Sequence, residues 1–113
     1  MNPPPSPQNG SIKLVIEAIQ DNAEHEEILA KGLIAITNFA FNNNLNRIIC
    51  KKLGAISAIV TAMKAHPESG KVQKQACRAV SNIAVNNVDL KSEVQFCLER
   101  RERYTILNPY SSI

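Results

Sequence analysis

A chain of 113 residues with a formal charge of +3 is one domain at most, with room for only a small core. Its 44% hydrophobic and 20% charged residues are too apolar a mix for wholesale disorder, and no run approaches the roughly 18 apolar residues of a membrane span. Aromatics are 4%, Trp is absent, and four of the six Pro fall within the first seven residues, which excludes a loop-rich sandwich and predicts a soluble, mostly helical protein.

Residues 1–9 read as a disordered Pro-rich leader, with Pro3-Pro4-Pro5-Ser6-Pro7 as a weaker candidate for a polyproline ligand or a phosphorylated Ser-Pro. The leader has neither a basic start nor an apolar run, so no secretory signal is expected, and Asn9-Gly10-Ser11 is expected to stay unglycosylated. From there Ile12, Val15, Ile16 and Ile19 follow the spacing of one helix face. Asp21-Asn22 breaks the pattern, and a longer helix follows from about Glu26 to Phe41. Asn42-Asn43-Asn44 reads as a loop tip, since Asn tolerates left-handed backbone at a helix exit.

Leu45 to Leu53 reads as a short helix carrying Ile48, Ile49 and Leu53, and Gly54 as a sharp turn. Ile56, Ile59, Val60 and Met63 make the next amphipathic helix. It is ended by His66-Pro67-Glu68-Ser69-Gly70, where Pro67 cannot continue a helix and Gly70 is expected to supply the turn. A second long helix is predicted from about Lys71 to Val85. Beyond it Leu90, Val94, Cys97 and Leu98 make another apolar stripe, with Asp89 placed to cap its start.

The chain repeats itself. Sliding it by 44 residues gives an ungapped match from Gly10 through Leu90. Gly10-Ser11-Ile12 falls on Gly54-Ala55-Ile56, and Asn38-Phe39-Ala40-Phe41-Asn42-Asn43 falls on Asn82-Ile83-Ala84-Val85-Asn86-Asn87. Between them Ile28, Gly32, Ala35 and Ile36 meet Val72, Ala76, Ala79 and Val80. At about 100° per residue, Val72, Ala76, Ala79, Val80 and Ile83 form the core face of the second long helix. Lys71, Gln75, Arg78 and Asn82 form a stripe away from it, and one period earlier the same positions hold Glu27, Lys31, Ile34 and Asn38.

The period is too long for ankyrin or tetratricopeptide units, and the residues carry a resemblance. Leu53-Gly54-Ala55-Ile56, Val72-Gln73-Lys74-Gln75-Ala76-Cys77 and Ala79 through Asn87 resemble consecutive signatures of an armadillo repeat. The resemblance covers roughly residues 10–98. It implies an all-α, right-handed solenoid with three helices per repeat and close helix contacts at Gly32, Ala35, Ala40, Ala76, Ala79 and Ala84. The first repeat occupies 10–53 and lacks its first short helix. The second repeat and the start of a third occupy 54–98, and a divergent tail, opened by Glu99-Arg100-Arg101-Glu102-Arg103, runs over 99–113. This organisation is expected of a segment of a longer solenoid, of a short product with an unrelated tail, or of a chain that covers its end helices by self-association.

The resemblance also implies non-catalytic protein–protein binding, with Asn38 and Asn82 hydrogen-bonding the backbone of an extended partner. A carboxamide suits that role because it donates and accepts. Nuclear-import members of the family carry Trp one turn before this Asn, where this chain has Ile34 and Arg78, so a basic localisation signal is not the expected ligand. Residues 54–87 hold Lys64, Lys71, Lys74 and Arg78 against Glu68 alone, which favours an acidic or phosphorylated peptide over a basic one; beside that stands the plainer reading, that a basic stripe on a helix is a solvated face.

Three unpaired cysteines, Cys50, Cys77 and Cys97, read as buried small apolar residues in a reducing compartment, cytosol or nucleus. His25 and His66 share no face with further ligands, so no metal is expected, and no cofactor motif or catalytic constellation is recognisable. A balanced Glu/Arg tail and the lack of a stacking platform count against nucleic acid as a partner.

Overall fold

The computed structural model describes residues 9–85, together with Gln95 and Glu99. Over that span the chain forms α1 (Asn9–Asp21), α2 (Glu26–Ala40), α3 (Asn44–Lys52), α4 (Ala55–Ala65) and α5 (Gly70–Ile83), with no strand among the described residues. The long helices α2 and α5 share the most extensive interface, α1 packs on α2, α4 packs on α5, and α1 meets α4. Two helix pairs therefore stand side by side, with α3 bridging them. The expected all-α solenoid is what forms. The expected third stripe at Leu90, Val94, Cys97 and Leu98, its cap Asp89 and the tail after 98 lie outside the described residues, as does the Pro-rich leader up to residue 8.

One continuous core runs through both pairs. Ile12, Ile16 and Ile19 of α1, Leu29, Leu33, Ile36 and Ala40 of α2, and Ile49 and Cys50 of α3 join Ile59 and Met63 of α4 and Val72, Ala76, Ala79, Val80 and Ile83 of α5. The predicted core faces are these, with Val15 and Val60 half-buried at their margins. Cys50 and Cys77 are buried and form no disulfide, and burial pushes the Cys50 thiol up to about 11, the opposite of what a nucleophile needs. Cys97 lies outside the described residues.

Local chemistry sets the helix ends. Gly54 sits at φ 81 between α3 and α4, a backbone state a side chain would strain, and so makes the predicted sharp turn. Asn42 adopts φ 48 after α2. Asn43 caps α3, its side chain accepting from the Asn46 N–H at 3.0 Å, so only the first two residues of the expected Asn loop tip lie outside a helix while Asn44 opens one. Gly70 does not make the turn expected of it: Ser69 is the N-cap of α5 and Gly70 the first helical residue. Gly10 likewise lies within α1 at negative φ, so its match to Gly54 holds in sequence and not in backbone conformation.

Gly32 shows why small residues recur between the helices. A Cβ built there would stand 2.7 Å from Ile19 Cγ1 and 3.2 Å from its Cδ1. The second unit carries Ala76 and Met63 at the equivalent positions, and an unbranched Met can move aside for a methyl where Ile cannot. Gly32→Ala should therefore gain about 1 kcal/mol of helix propensity and lose roughly 1–3 kcal/mol to overpacking. The expected outcome in urea unfolding is a net loss that Ile19→Met, introduced alongside, largely removes.

Candidate partner-binding face

The long helices place the predicted stripe on their outer side. Glu27, Lys31, Ile34 and Asn38 of α2 are all exposed, and on α5 Lys71 and Arg78 are exposed while Gln75 and Asn82 are half-buried. Because α2 and α5 pack directly against each other, the two stripes lie side by side and make one surface. Sequence reasoning located this face; the structure adds how its polar groups are used.

At the N-terminal ends of the helices the charges answer one another. Lys71 Nζ donates to Glu27 Oε1, an ion pair between positions that match across the repeat. This hydrogen bond holds the Glu27 carboxyl below its usual range and the Lys71 ammonium above its own. Beside it the Ser69 hydroxyl donates to Glu26 Oε1 at 2.5 Å while accepting from the Val72 N–H at 3.2 Å. His66 Nε2 donates to the Ala23 carbonyl at 2.7 Å, which fixes the ring proton on that nitrogen because a carbonyl can only accept. These three contacts stitch the two repeats along one edge, and Lys71 is a seam residue before it is a binding residue.

The seam sets a pH expectation. Glu27 adds stability above its ordinary 4.5 and loses it as pH falls through its lowered folded value. Lys71 adds stability below its ordinary 10.5 and loses it as pH rises through its raised folded value. Both groups are exposed, so the effect is small. Urea midpoints of the wild type and Lys71→Gln should differ between those limits and converge as the pH falls through the lowered folded value of Glu27.

Farther along the helices the face becomes apolar. Ile34 is 42% exposed, Phe41 70% and Val85 42%, and Phe41 and Val85 occupy matching positions. The Phe41 N–H still bonds the Thr37 carbonyl, so its Cα continues the spiral of α2. The expected stripe ends at Asn38 and Asn82, and Phe41 and Val85 stand three residues beyond it at the same offset of 44. The Asn82 amide donates one hydrogen to the Arg78 carbonyl at 3.0 Å, which leaves its Oδ1 and second N–H for a partner. Lys71–Glu27 is the ion pair among the described residues, and Arg78 presents its charge outward.

A second surface follows from the repeat. Ala58, Ile59, Val72, Ala79 and Ile83 are buried, on the two helices that pack against the preceding pair. The matching positions in the first unit are Leu14, Val15, Ile28, Ala35 and Phe39. Leu14 is 67% and Ile28 41% exposed, the rest half-buried. Ile28 is thus not buried as its match Val72 is: among the described residues no helix packs on the leading face of the first pair. On the opposite flank an open depression floored by Ile56 and Val60 and rimmed by Lys51 and Lys64 occupies the positions that bury Ile12 and Ile16 in the first unit.

Among the described residues no three His, Cys, Asp or Glu side chains group closely enough to hold a metal ion, and no helix is long and apolar enough to cross a membrane.

Comparison with known proteins agrees with this architecture. The family Armadillo/beta-catenin-like repeat matches residues 43–85, which begin at the cap of α3 and run through α4 and α5. The curated relative Protein aardvark of Dictyostelium discoideum is 32% identical over 93 aligned residues, covering 77% of this chain. The chain spans 12% of that relative's length. No solved structure matches the chain.

Proposed function

Because the chain is built of armadillo repeats, a class of non-catalytic protein-interaction module, we propose that it binds an extended acidic or phosphorylated peptide across the outer face of α2 and α5. The observation that carries this reading is the placement of Asn38 and Asn82 at matching positions on two long helices packed side by side. Each carboxamide serves a peptide group whatever side chain that group carries, and Arg78 supplies the charge preference, with Lys31 and Gln75 at the margins. Lys71 contributes less than its charge alone suggests, since Glu27 shares it. The setting we assign is a reducing one, cytosol or nucleus, where unpaired buried cysteines are stable.

The test is a panel of synthetic peptides, acidic, phosphorylated, neutral and basic, titrated against the wild type and against Asn82→Ala/Arg78→Ala. Loss of a backbone hydrogen bond and a charge-assisted contact should weaken binding of the preferred peptide by about tenfold or more. Unchanged affinity removes the stripe from the reading.

The open leading face favours a second reading, in which the module assembles rather than binds peptides. Its occupant is then the trailing flank of another repeat of the same type, because that is what covers the matching positions of the second unit. Light scattering over a concentration series separates the two. A monomer whose mass is indifferent to Ile28→Asp leaves the groove as the working surface. Growth with concentration that Ile28→Asp abolishes makes the leading face the functional one.

A further inference from the structure

Helical geometry places Ile34 and Asn38 on one outward strip of α2 and Arg78 and Asn82 on the matching strip of α5; Phe41, the C-cap of α2, and Val85, in the turn just past α5, follow them by three residues and are exposed. Each asparagine is therefore flanked one turn on either side, and the flanks differ: both are apolar on α2, whereas on α5 one is a guanidinium. The polar ends of both strips are already occupied by the Lys71–Glu27 and Ser69–Glu26 contacts. What remains to be satisfied by a partner is apolar area at Ile34, Phe41 and Val85 and positive charge at Arg78, Lys31 lying near the already paired Glu27.

We propose that this surface selects peptides carrying an apolar side chain and an acidic one three residues apart, the apolar one seated between Ile34 and Phe41 and the carboxylate or phosphate on Arg78. The inference rests on the groove reading above and narrows it. The charge complement is a single planar guanidinium, which grips a carboxylate or phosphate through two parallel hydrogen bonds. The apolar complement is an aromatic ring and a branched aliphatic chain left in water, where each square ångström covered returns about 25 cal/mol. The spacing comes from the fold. Packed helices lie about 8–10 Å apart. In an extended polyproline-type segment, residues i and i+3 point the same way and are separated by about 9 Å. A peptide crossing both helices thus presents every third side chain to successive repeats.

The test is selection of a random dodecapeptide library, displayed on phage, against the immobilised 113-residue chain. Enriched sequences are expected to share Leu, Ile, Val, Phe or Met and Asp or Glu at a separation of three. Phe41→Ser should remove the preference at the apolar position alone. Arg78→Glu should switch the selected charge from acidic to basic while the apolar residue is kept. Phe41 and Arg78 are exposed, so both variants keep the fold, and circular dichroism verifies it. Enriched peptides that lose affinity on Asn38→Ala or Asn82→Ala, but lack the spaced pair or ignore Arg78→Glu, overturn the narrowed proposal and leave the groove standing. Peptides indifferent to both asparagines, or no enrichment at all, overturn the groove reading and this one with it.

Discussion

Leu33→Ala is expected to cost about 3 kcal/mol and to lower the melting temperature by on the order of 15 °C. Leu33 is fully buried in α2, the helix that packs against both α1 and α5. Truncating it removes transfer energy and leaves a cavity at the joint between the two helix pairs. A solenoid has no alternative contacts to redistribute the loss, because each repeat touches only its neighbours. In a chain this short such a cost is a large share of the total stability. Thermal circular dichroism gives the magnitude. Labelling of Cys50 gives an independent readout, since that thiol is buried and its raised pKa suppresses reaction in the folded state. Leu14→Ala is the control: the same substitution on an exposed site should change stability by less than about 0.5 kcal/mol. Equal tolerance of the two would mean that α2 is not the joint.

Gln73→Leu is the second large effect, and its direction is counterintuitive for a core position. Gln73 is buried in α5, and its Nε2 donates to the carbonyls of Met63 and His66, each at 2.9 Å. Those carbonyls belong to the last turn of α4 and to its C-cap, where a helix leaves acceptors over. Replacing the amide by an apolar group of similar volume removes both bonds; the His66 carbonyl keeps the Ser69 N–H at 3.1 Å, so the cost falls on the Met63 carbonyl, at roughly 1–3 kcal/mol. The first unit carries Leu29 at the matching position without penalty. There Asn22 closes the end of α1 itself, its Nδ2 donating to the Ala18 carbonyl at 2.8 Å. The two repeats finish these helices differently. Gln73→Leu should thus destabilise strongly in urea unfolding, while Leu29→Met, with no polar duty to lose, should cost under about 1.5 kcal/mol.

That contrast also marks what could be read from the sequence. Helix count, order and core faces follow from apolar spacing and from the 44-residue offset, which act over many residues and average out local exceptions. Gly54 was legible because a left-handed turn leaves few alternatives to glycine. Gly70 was not, because Ser69 supplies the cap one residue earlier and glycine there needs no special conformation. Gln73 resembled an ordinary polar position in an exposed stretch, and only the approach of the α4 carbonyls gives it its role.

The candidate face shows the same division. The stripe of Asn38, Lys31 and Ile34 with Asn82, Gln75, Arg78 and Lys71 follows from helical angles, and each residue stands on the outer side. Pairing across repeats does not follow from angles within one helix. Hence the Lys71–Glu27 and Ser69–Glu26 contacts, which change what is free to bind, came only from the fold. Asn46 illustrates the point elsewhere: its Nδ2 donates to the Phe39 carbonyl at 2.9 Å, turning one of a run of asparagines into a buried brace between α2 and α3.

The most direct test of the binding face is a two-dimensional NMR titration of the labelled chain with a peptide enriched from the displayed library, following the side-chain amide signals of Asn38 and Asn82. Saturable shifts in both pairs, accompanied by the backbone amides of Ile34, Phe41 and Arg78 and with Leu14 and Lys64 unmoved, are what the account predicts. Shifts confined to α1 and α4, with both asparagine side chains silent, would contradict it.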